Sequence, residues 1–233
     1  MKPYYERGGI VIYHADCREV LPTLAAGSVD LVLTDPPYGT GGWRRLEAGA
    51  GSNPSGALVT EAWDDGAVDW LALCRCPVLT FWPPARTWEL LTAAREVGMD
   101  KHRCLYMRKR DPKPLPGGRM RWSVEPIWSL SSAGFVLMGG DDCIEVSTPR
   151  AGRDHDATGH PYQKPLDALT WLLAKTAATF TLDPFMGSGT TLVAAKMLGR
   201  RAIGIEAEER WCEVAARRLS QDVLPLFAEG AAS

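Results

Sequence analysis

The sequence has little cysteine or histidine for a metal-binding or disulfide-rich protein, and it has no long apolar run. Its six cysteines are scattered over 233 residues without a CxxC pair, and its four histidines lie far apart. Cys74-x-Cys76 lacks a second pair at ligand spacing, so we expect no metal site. No window approaches the ~20 apolar residues of a membrane helix, and the N-terminal residues MKPYYERGG lack the apolar core of a signal peptide. These absences predict a soluble, cytoplasmic protein with free thiols and no membrane partner.

Net charge is also low, at -2, but the charges are unevenly distributed. Between Lys101 and Arg121, eight basic residues stand against one acid, Asp111. A phosphate backbone would bind such a cluster, although a solvated loop can have the same composition. The charge pattern alone therefore leaves nucleic-acid binding open.

The chain has enough hydrophobic residues, 45% of the total, to build one compact α/β domain over residues 1–233. Apolar runs typical of strands alternate with helical patterns, and the strands are predicted at 10–13, 29–33, 78–82, 104–107, 179–182 and 202–205. Residues 39–56 are rich in glycine and polar side chains and too long for a simple connection, which predicts a mobile active-site loop. A second polar, charged loop is predicted at 139–159.

The strand predicted at 29–33 leads directly into Asp35-Pro36-Pro37-Tyr38. Two prolines end a strand, and ligands of parallel sheets bind where strands end. The Asp35 carboxylate and the Pro36 carbonyl, which Pro37 holds in place, could accept both N–H bonds of an aromatic amine. This would free the nitrogen lone pair for attack on a methyl sulfonium, while Tyr38 stacks on a base rotated out of the duplex. The same residues also fit an ordinary Pro–Pro turn.

The strand predicted at 179–182 leads into a glycine turn, Asp183-Pro184-Phe185-Met186-Gly187-Ser188-Gly189-Thr190. Glycine lets the backbone approach a ligand closely because it has no Cβ. The spacing is not GxGxxG and no lysine follows, which disfavours pyrophosphate or triphosphate binding. Glu206 ends the next predicted strand, where an acid can accept hydrogen bonds from two ribose hydroxyls. The turn and Glu206 together favour a nucleoside-like ligand over a tight turn with a surface glutamate.

With both motifs, the chain resembles the amino-methyltransferases of DNA, in which DPPY holds the target amine and FxGxG holds S-adenosylmethionine. The resemblance further includes Asp16-Cys17, residues 29–38, His160-Pro161-x-x-Lys164-Pro165 and Gly204-Ile205-Glu206. DPPY precedes FxGxG by about 146 residues, as in the family's β class, whose target-recognition region lies between the motifs. The resemblance implies a permuted Rossmann-like α/β fold with a mostly parallel sheet and one antiparallel strand.

The resemblance also implies residue roles. The catalytic residues would be Asp35, Pro36, Pro37 and Tyr38. S-adenosylmethionine would be bound by Asp16, Cys17, Asp35, Lys164, Asp183, Phe185, Gly187, Ser188, Gly189, Thr190 and Glu206. Within that set, Asp16 is implied for the cofactor's adenine, Lys164 for a wall of the methionine pocket and Phe185 for packing against the cofactor. Asp16 could instead cap a helix, and Lys164 could be a solvated residue at a helix start.

The partner implied by the resemblance is double-stranded DNA, with target-recognition elements within residues 101–160. Its phosphates would be bound by Arg108, Lys109, Arg110, Lys113, Arg119 and Arg121. The sequence leaves open the target sequence, a homodimer and a cognate restriction enzyme.

Three alternatives remain. Family members that make N4-methylcytosine more often carry serine at the first DPPY position, so Asp35 favours adenine N6 without excluding cytosine N4. Protein glutamine methyltransferases use NPPY, and the aspartate, the late glycine motif and the basic middle region count against that class. A non-catalytic DNA-binding relative would not need both motifs intact.

Overall fold

The computed structural model describes residues 1–38, 68–110, 123–134, 137–147, 158–160 and 163–221, which contain nine strands and five α-helices. The strands are β1 (Tyr5–Arg7), β2 (Ile10–His14), β3 (Leu31–Thr34), β4 (Val78–Phe81), β5 (Lys101–Lys109), β6 (Val124–Ser131), β7 (Cys143–Val146), β8 (Phe180–Asp183) and β9 (Arg201–Glu206). The helices are α1 (Cys17–Val20), α2 (Thr87–Glu96), α3 (Leu166–Ala174), α4 (Thr190–Met197) and α5 (Glu209–Ser220). Short 3-10 turns lie at Leu21–Thr23, Asp69–Leu73 and Pro84–Arg86.

The described strands form one sheet in the order β1-β2-β9-β8-β3-β4-β6-β5-β7. Strands β2, β9, β8, β3 and β4 are mutually parallel, while β6 runs antiparallel to both of its neighbours. The predicted mostly parallel α/β sheet is confirmed, but two strands rather than one run against the others. The second is β1, because Gly8 and Gly9, with φ of 58° and 80°, reverse the chain into a hairpin at the sheet edge.

Two hydrophobic layers lie on opposite faces of the sheet. Alternation along β3 directs Leu31 and Leu33 to one face and Val32 to the other. The first face is covered by α3, α4 and α5, and the second by α1, α2 and the 3-10 turn Asp69–Leu73. Each buried leucine or valine contributes roughly 1.5–3 kcal/mol, so packing on the sheet holds these short helices in place.

Strand β7 lies within residues 139–159, which the sequence predicted as a polar loop. Only Val146 of its four residues is buried, because β7 is short and, among the described strands, pairs with β5 alone. A strand with one buried residue has no apolar run to reveal it, so the prediction of a continuous loop was wrong. The predicted mobile loop at 39–56 lies outside the described residues.

None of the helices within the described residues is long and apolar enough to cross a bilayer.

Candidate active site

Five parallel strands end at the same edge of the sheet, which we call the carboxyl edge. The segments that leave it are Asp16 after β2, Ala207 after β9, the glycine turn after β8, Asp35 after β3 and Trp82 after β4. Because β8 is the neighbour of β3, the structure brings the glycine turn beside the Asp35–Tyr38 segment. The two sequence motifs therefore form one site.

Asp35 has its two carboxylate oxygens engaged by different partners. The Tyr38 hydroxyl donates a hydrogen bond to Oδ1, and the Lys164 ammonium lies 2.5 Å from Oδ2. The Tyr38 ring also packs edge-on against Trp82, with ring centroids 5.6 Å apart. Burial raises the pKa of Tyr38, and the Asp35 charge raises it further, so the hydroxyl stays protonated as a donor. These contacts fix the orientation of the Asp35 carboxylate.

Tyr38 is also held from the β4 side, by residues that sequence reasoning missed. The Arg86 guanidinium donates to the Tyr38 carbonyl oxygen and pairs with Glu89. The indole N–H of Trp82 donates to the Arg86 carbonyl oxygen at 2.8 Å. One signal was available, because Pro83-Pro84 follows the predicted strand 78–82 as Pro36-Pro37 follows the strand before Asp35.

The glycine turn needs both of its glycines. Gly187 and Gly189 have φ of 50° and 77°, in the left-handed region that side chains disfavour. A Cβ on Gly189 would lie 2.7 Å from the Cβ of Ala215 in α5, and one on Gly187 would lie 3.0 Å from the His160 Nε2. The turn is therefore packed between α5 and His160 as closely as backbone atoms allow.

His160 closes one side of that turn. Its ring packs edge-on against Trp211 at 4.4 Å, and burial together with nearby cations lowers its pKa to about 4. The imidazole is neutral at physiological pH, so it adds no charge beside the glycine turn.

Glu206 lies directly beside the turn. Its Oε2 accepts from the Gly187 N–H at 3.0 Å and its Oε1 from the Glu208 N–H at 2.8 Å. Burial raises the pKa of this carboxyl group. Each oxygen has a further lone pair, so the carboxylate can also accept hydrogen bonds from hydroxyl groups of a ligand.

Asp183 connects the two motifs. Its Oδ1 accepts from the Thr34 hydroxyl at 2.8 Å and from the Phe185 N–H at 3.1 Å, and burial raises its pKa to about 6. Thr34 and Asp183 are 149 residues apart in sequence but end neighbouring strands. Asp183, predicted among the cofactor-binding residues, is therefore positioned to hold the turn against the Asp35 segment.

Asp16 and Cys17 both have structural partners. Asp16 caps α1 by accepting from the Arg18 N–H at 2.8 Å and pairs with the Arg18 guanidinium, which lowers the pKa of the carboxyl group. Cys17 is buried in the core, where burial raises its thiol pKa to about 12. Cys17 can therefore face a ligand only through its backbone.

Ser188 and Thr190 face α5. The Arg218 guanidinium donates to the Ser188 carbonyl oxygen at 2.7 Å and to the Thr190 hydroxyl at 3.0 Å. Phe185 packs edge-on against Trp70, with centroids 5.8 Å apart. These contacts support the turn from behind, so ligand contacts by Ser188 and Thr190 would come from their backbone.

Lys164 lies between two carboxylates. Its Nζ is 2.5 Å from Asp35 Oδ2, 3.5 Å from Glu125 Oε2 and 4.8 Å from the centre of the Phe81 ring. Burial alone would lower the pKa of Lys164, but Asp35 and Glu125 outweigh it and the pKa is raised. The ammonium predicted for a wall of the methionine pocket thus contacts the DPPY aspartate directly.

The basic stretch divides between two faces of β5. Arg108 and Arg110 are each 61% exposed and lie 3.3 and 3.6 Å from Glu145. Lys109 points to the other face and pairs with Glu125. Period-two alternation along β5 separates Lys109 from Arg108, which a count of basic residues does not show. The predicted DNA contacts Lys113, Arg119 and Arg121 lie outside the described residues.

Comparisons with known proteins identify the family. The family model described as DNA methylase, covering N6/N4 methyltransferases, matches residues 77–217, more than half of the chain. The type II methyltransferase M2.LlaDCHI of Lactococcus lactis subsp. cremoris is 30% identical, over 94% of this chain and 93% of the relative.

Two solved structures share the fold. An M1.HpyAVI–SAM complex has a TM-score of 0.67 and 24% identity, over 91% of this chain and 100% of that one. The cytosine-N4-specific PvuII DNA methyltransferase has a TM-score of 0.69 and 18% identity, over 96% and 90%. From the family match and the identity to M2.LlaDCHI, the chain belongs to the N6/N4 DNA methylase family and is a DNA methyltransferase.

Proposed function

We propose that the protein transfers a methyl group from S-adenosylmethionine to the exocyclic N6 amine of adenine in double-stranded DNA. The observation that carries the proposal is the placement of Asp35–Tyr38 beside the glycine turn, joined by the Thr34–Asp183 hydrogen bond. An amine held by one segment and a methyl donor held by the other would meet at the carboxyl edge.

The residues at the glycine turn fit the cofactor. Gly187 is left-handed and only partly buried, and the half-buried Glu206 carboxylate suits the two hydroxyls of a ribose. The M1.HpyAVI–SAM complex, whose fold this chain shares, supports the same choice. When bound, S-adenosylmethionine would supply a methyl group on a positively charged sulfur.

The chemistry asked of the protein is to prepare a weakly nucleophilic nitrogen. In the proposed reaction the Asp35 carboxylate and the Pro36 carbonyl accept the two N–H bonds of the target amine, which localises its lone pair. As the new C–N bond forms and the C–S bond breaks, positive charge develops on the nitrogen beside Asp35. Electrostatic stabilisation by a fixed carboxylate is largest when its orientation is set in advance, which Tyr38 and Lys164 do. The nitrogen then loses one proton to Asp35 or to water.

Adenine is the proposed target because Asp35 stands at the first DPPY position, where the family's cytosine enzymes more often have serine. The PvuII enzyme shares the fold and, by its name, is specific for cytosine N4, so the fold alone does not select adenine. Analysis of the methylated product therefore decides which base is the target.

DNA recognition is proposed within residues 101–160, in a single domain over residues 1–233. Strand β5 ends at the carboxyl edge with Lys109, and antiparallel β6 begins there with Val124, so both ends of the connection between them lie beside Asp35. Arg108 and Arg110 are the proposed phosphate contacts among the described residues. Lys109 is left out of this set because its side chain is only 23% exposed, on the opposite face of β5 from Arg108.

A cognate restriction enzyme is a further proposed partner. This proposal is supported by the relative M2.LlaDCHI, which is named a type II methyltransferase.

The experiment is incubation of the purified protein with tritium-labelled S-adenosylmethionine and mixed-sequence duplex DNA, followed by nucleoside mass spectrometry. We expect label in N6-methyladenine. Label in N4-methylcytosine would preserve the mechanism and change the base. Label in added protein but not in DNA would overturn the DNA proposal.

A further inference from the structure

Four charged side chains alternate in sign from the carboxyl edge into the β5–β6 hairpin. Asp35 pairs with Lys164, Lys164 with Glu125, and Glu125 with Lys109. All four side chains are largely shielded from solvent, with exposed fractions of 22%, 15%, 29% and 23% in that order. We call this arrangement the four-charge chain, and its formal charges sum to zero.

We propose that Glu125 is a positioning residue for methyl transfer, which sets the charge that the target amine meets at Asp35 by sharing the Lys164 ammonium. The inference rests on the proposed function of Asp35 and deepens it. Glu125 belongs to neither sequence motif, and it reaches the site because β6 begins at the carboxyl edge.

The Lys164 ammonium contacts two carboxylates. The closer contact is with Asp35, at 2.5 Å, and the ammonium neutralises much of that carboxylate's field. The negative charge of Glu125, 3.5 Å from the same ammonium, offsets part of this neutralisation. The pKa of Glu125, which burial tends to raise, is lowered because Lys164 and Lys109 face it, so the residue is ionised and able to compete. Asp35 therefore retains negative character towards an incoming amine.

The consequence appears in the transition state. Positive charge develops on the target nitrogen next to Asp35, and a neutral four-charge chain does not oppose it. Replacing Glu125 by glutamine keeps the size of the side chain but changes the sum of the formal charges of the four-charge chain from zero to +1. In a partly shielded site, one uncompensated charge at this range changes a rate by roughly tenfold to a hundredfold.

The sign of the effect distinguishes an electrostatic role from a structural one. Glu125→Gln should lower kcat by about tenfold to a hundredfold, because the excess charge is positive. Adding Lys109→Met to Glu125→Gln restores a sum of zero and should recover most of the lost kcat. Lys109→Met alone separates the two roles, because it breaks the same ion pair with Glu125. A residue that only braced β6 would lose kcat in this variant, whereas the electrostatic role predicts a kcat equal to or above the native value.

The experiment measures kcat, the KM for S-adenosylmethionine and the KM for duplex DNA with the full chain. The variants are Glu125→Gln, Lys109→Met and both together, and thermal unfolding shows that each variant is folded. Glu213→Gln is the matched control, because Glu213 is an exposed ion-pair glutamate on α5, paired with Arg217. We expect the kcat changes above, KM values within about threefold of native and a native-like control.

Native-like kcat in Glu125→Gln, or a double variant slower than the single one, would overturn the inference. If Glu125→Gln does not fold, Lys109→Met alone decides, because it leaves a net charge of -1. Its kcat should equal or exceed that of the native protein, and a tenfold fall would overturn the inference. Absence of transfer by the native protein would overturn the proposed function together with this inference. With an active native protein, the contradicting results above would overturn this inference alone.

Discussion

Gly189 lies at the beginning of α4 and is constrained in two independent ways. Its φ of 77° is in the left-handed region, and a Cβ placed on it would lie 2.7 Å from the Cβ of Ala215. Carbon atoms in contact normally lie 3.5–4.0 Å apart, so the overlap would be roughly 1 Å. Gly199, just after α4, provides a matched comparison because its φ is 66° but its added Cβ would meet nothing within 4 Å.

The free-energy cost of each substitution follows from these contacts. Left-handed backbone costs a side chain about 1–2 kcal/mol, which is the whole expected effect of Gly199→Ala. Gly189→Ala adds overpacking worth about 1–3 kcal/mol, giving a total of about 2–5 kcal/mol. For a chain of this size, that loss lowers Tm by about 2–4 °C per kcal/mol. The Ala215→Gly substitution removes the clash but itself costs about 1 kcal/mol in a helix.

The assay is urea unfolding of the native protein, Gly189→Ala, Gly199→Ala, Ala215→Gly and the Gly189→Ala/Ala215→Gly double variant. We expect Gly189→Ala to be less stable than Gly199→Ala, and the double variant to show a favourable coupling energy of at least about 1 kcal/mol. Calorimetric titration with S-adenosylhomocysteine, the product that the proposed cofactor becomes after methyl transfer, should show weaker binding to Gly189→Ala. Equal losses for the two glycine variants, with no coupling to Ala215, would refute close packing of the turn against α5.

The remaining predictions concern catalysis, DNA binding and pH. Asp35→Asn keeps the shape of the side chain but removes its charge, so kcat in the tritium-transfer assay should fall by about 10²–10⁴-fold. The affinity for the cofactor should stay within about tenfold of the native value. Native-like turnover would contradict the role of Asp35. Arg108→Ala/Arg110→Ala should weaken DNA binding and reduce the slope of log K against log salt by about 2, whereas the exposed Arg95→Ala on α2 should leave it unchanged; an unaltered slope in the double variant would place the phosphate contacts elsewhere. Asp183 has a pKa of about 6 in the folded state, above its value in the unfolded state, so the folded state binds a proton on this carboxyl group more tightly. The stabilisation that results is complete below about pH 4 and is lost as pH rises through 6. Urea unfolding from pH 4 to 7 should show the free energy of unfolding of the native protein falling relative to that of Asp183→Asn. If the free energies of the two proteins changed with pH in parallel, the raised pKa of Asp183 would be contradicted.

The parts of the site at strand ends could be predicted from sequence because proline, glycine and strand periodicity are local signals. Asp35-Pro36-Pro37-Tyr38 and the glycine turn both follow recognisable strands, and the structure places both at the carboxyl edge. Their adjacency depends on β3 pairing with β8 across 149 residues, which no local signal encodes. The Thr34–Asp183 hydrogen bond is a product of that pairing.

The ion pairs could not be predicted, because they depend on strand register and on which face each side chain occupies. Lys109 was counted with its basic neighbours, yet alternation along β5 directs it to Glu125. Lys164 was associated with the cofactor through its motif, and the structure places it against Asp35. Glu125 carried no sequence signal, since its importance arises only when β6 runs antiparallel and begins at the carboxyl edge.

The reversed direction of β6 also bears on how target specificity can change in such a protein. The connection from β5 to β6 leaves and re-enters the sheet at the edge where Asp35 lies. Changes between Arg110 and Ser123 would therefore leave the register of the parallel strands that carry Asp35 and the glycine turn unaltered. With DNA recognition placed as proposed, within residues 101–160, target specificity could diverge in that segment while the strands that carry the methyl-transfer site stay the same.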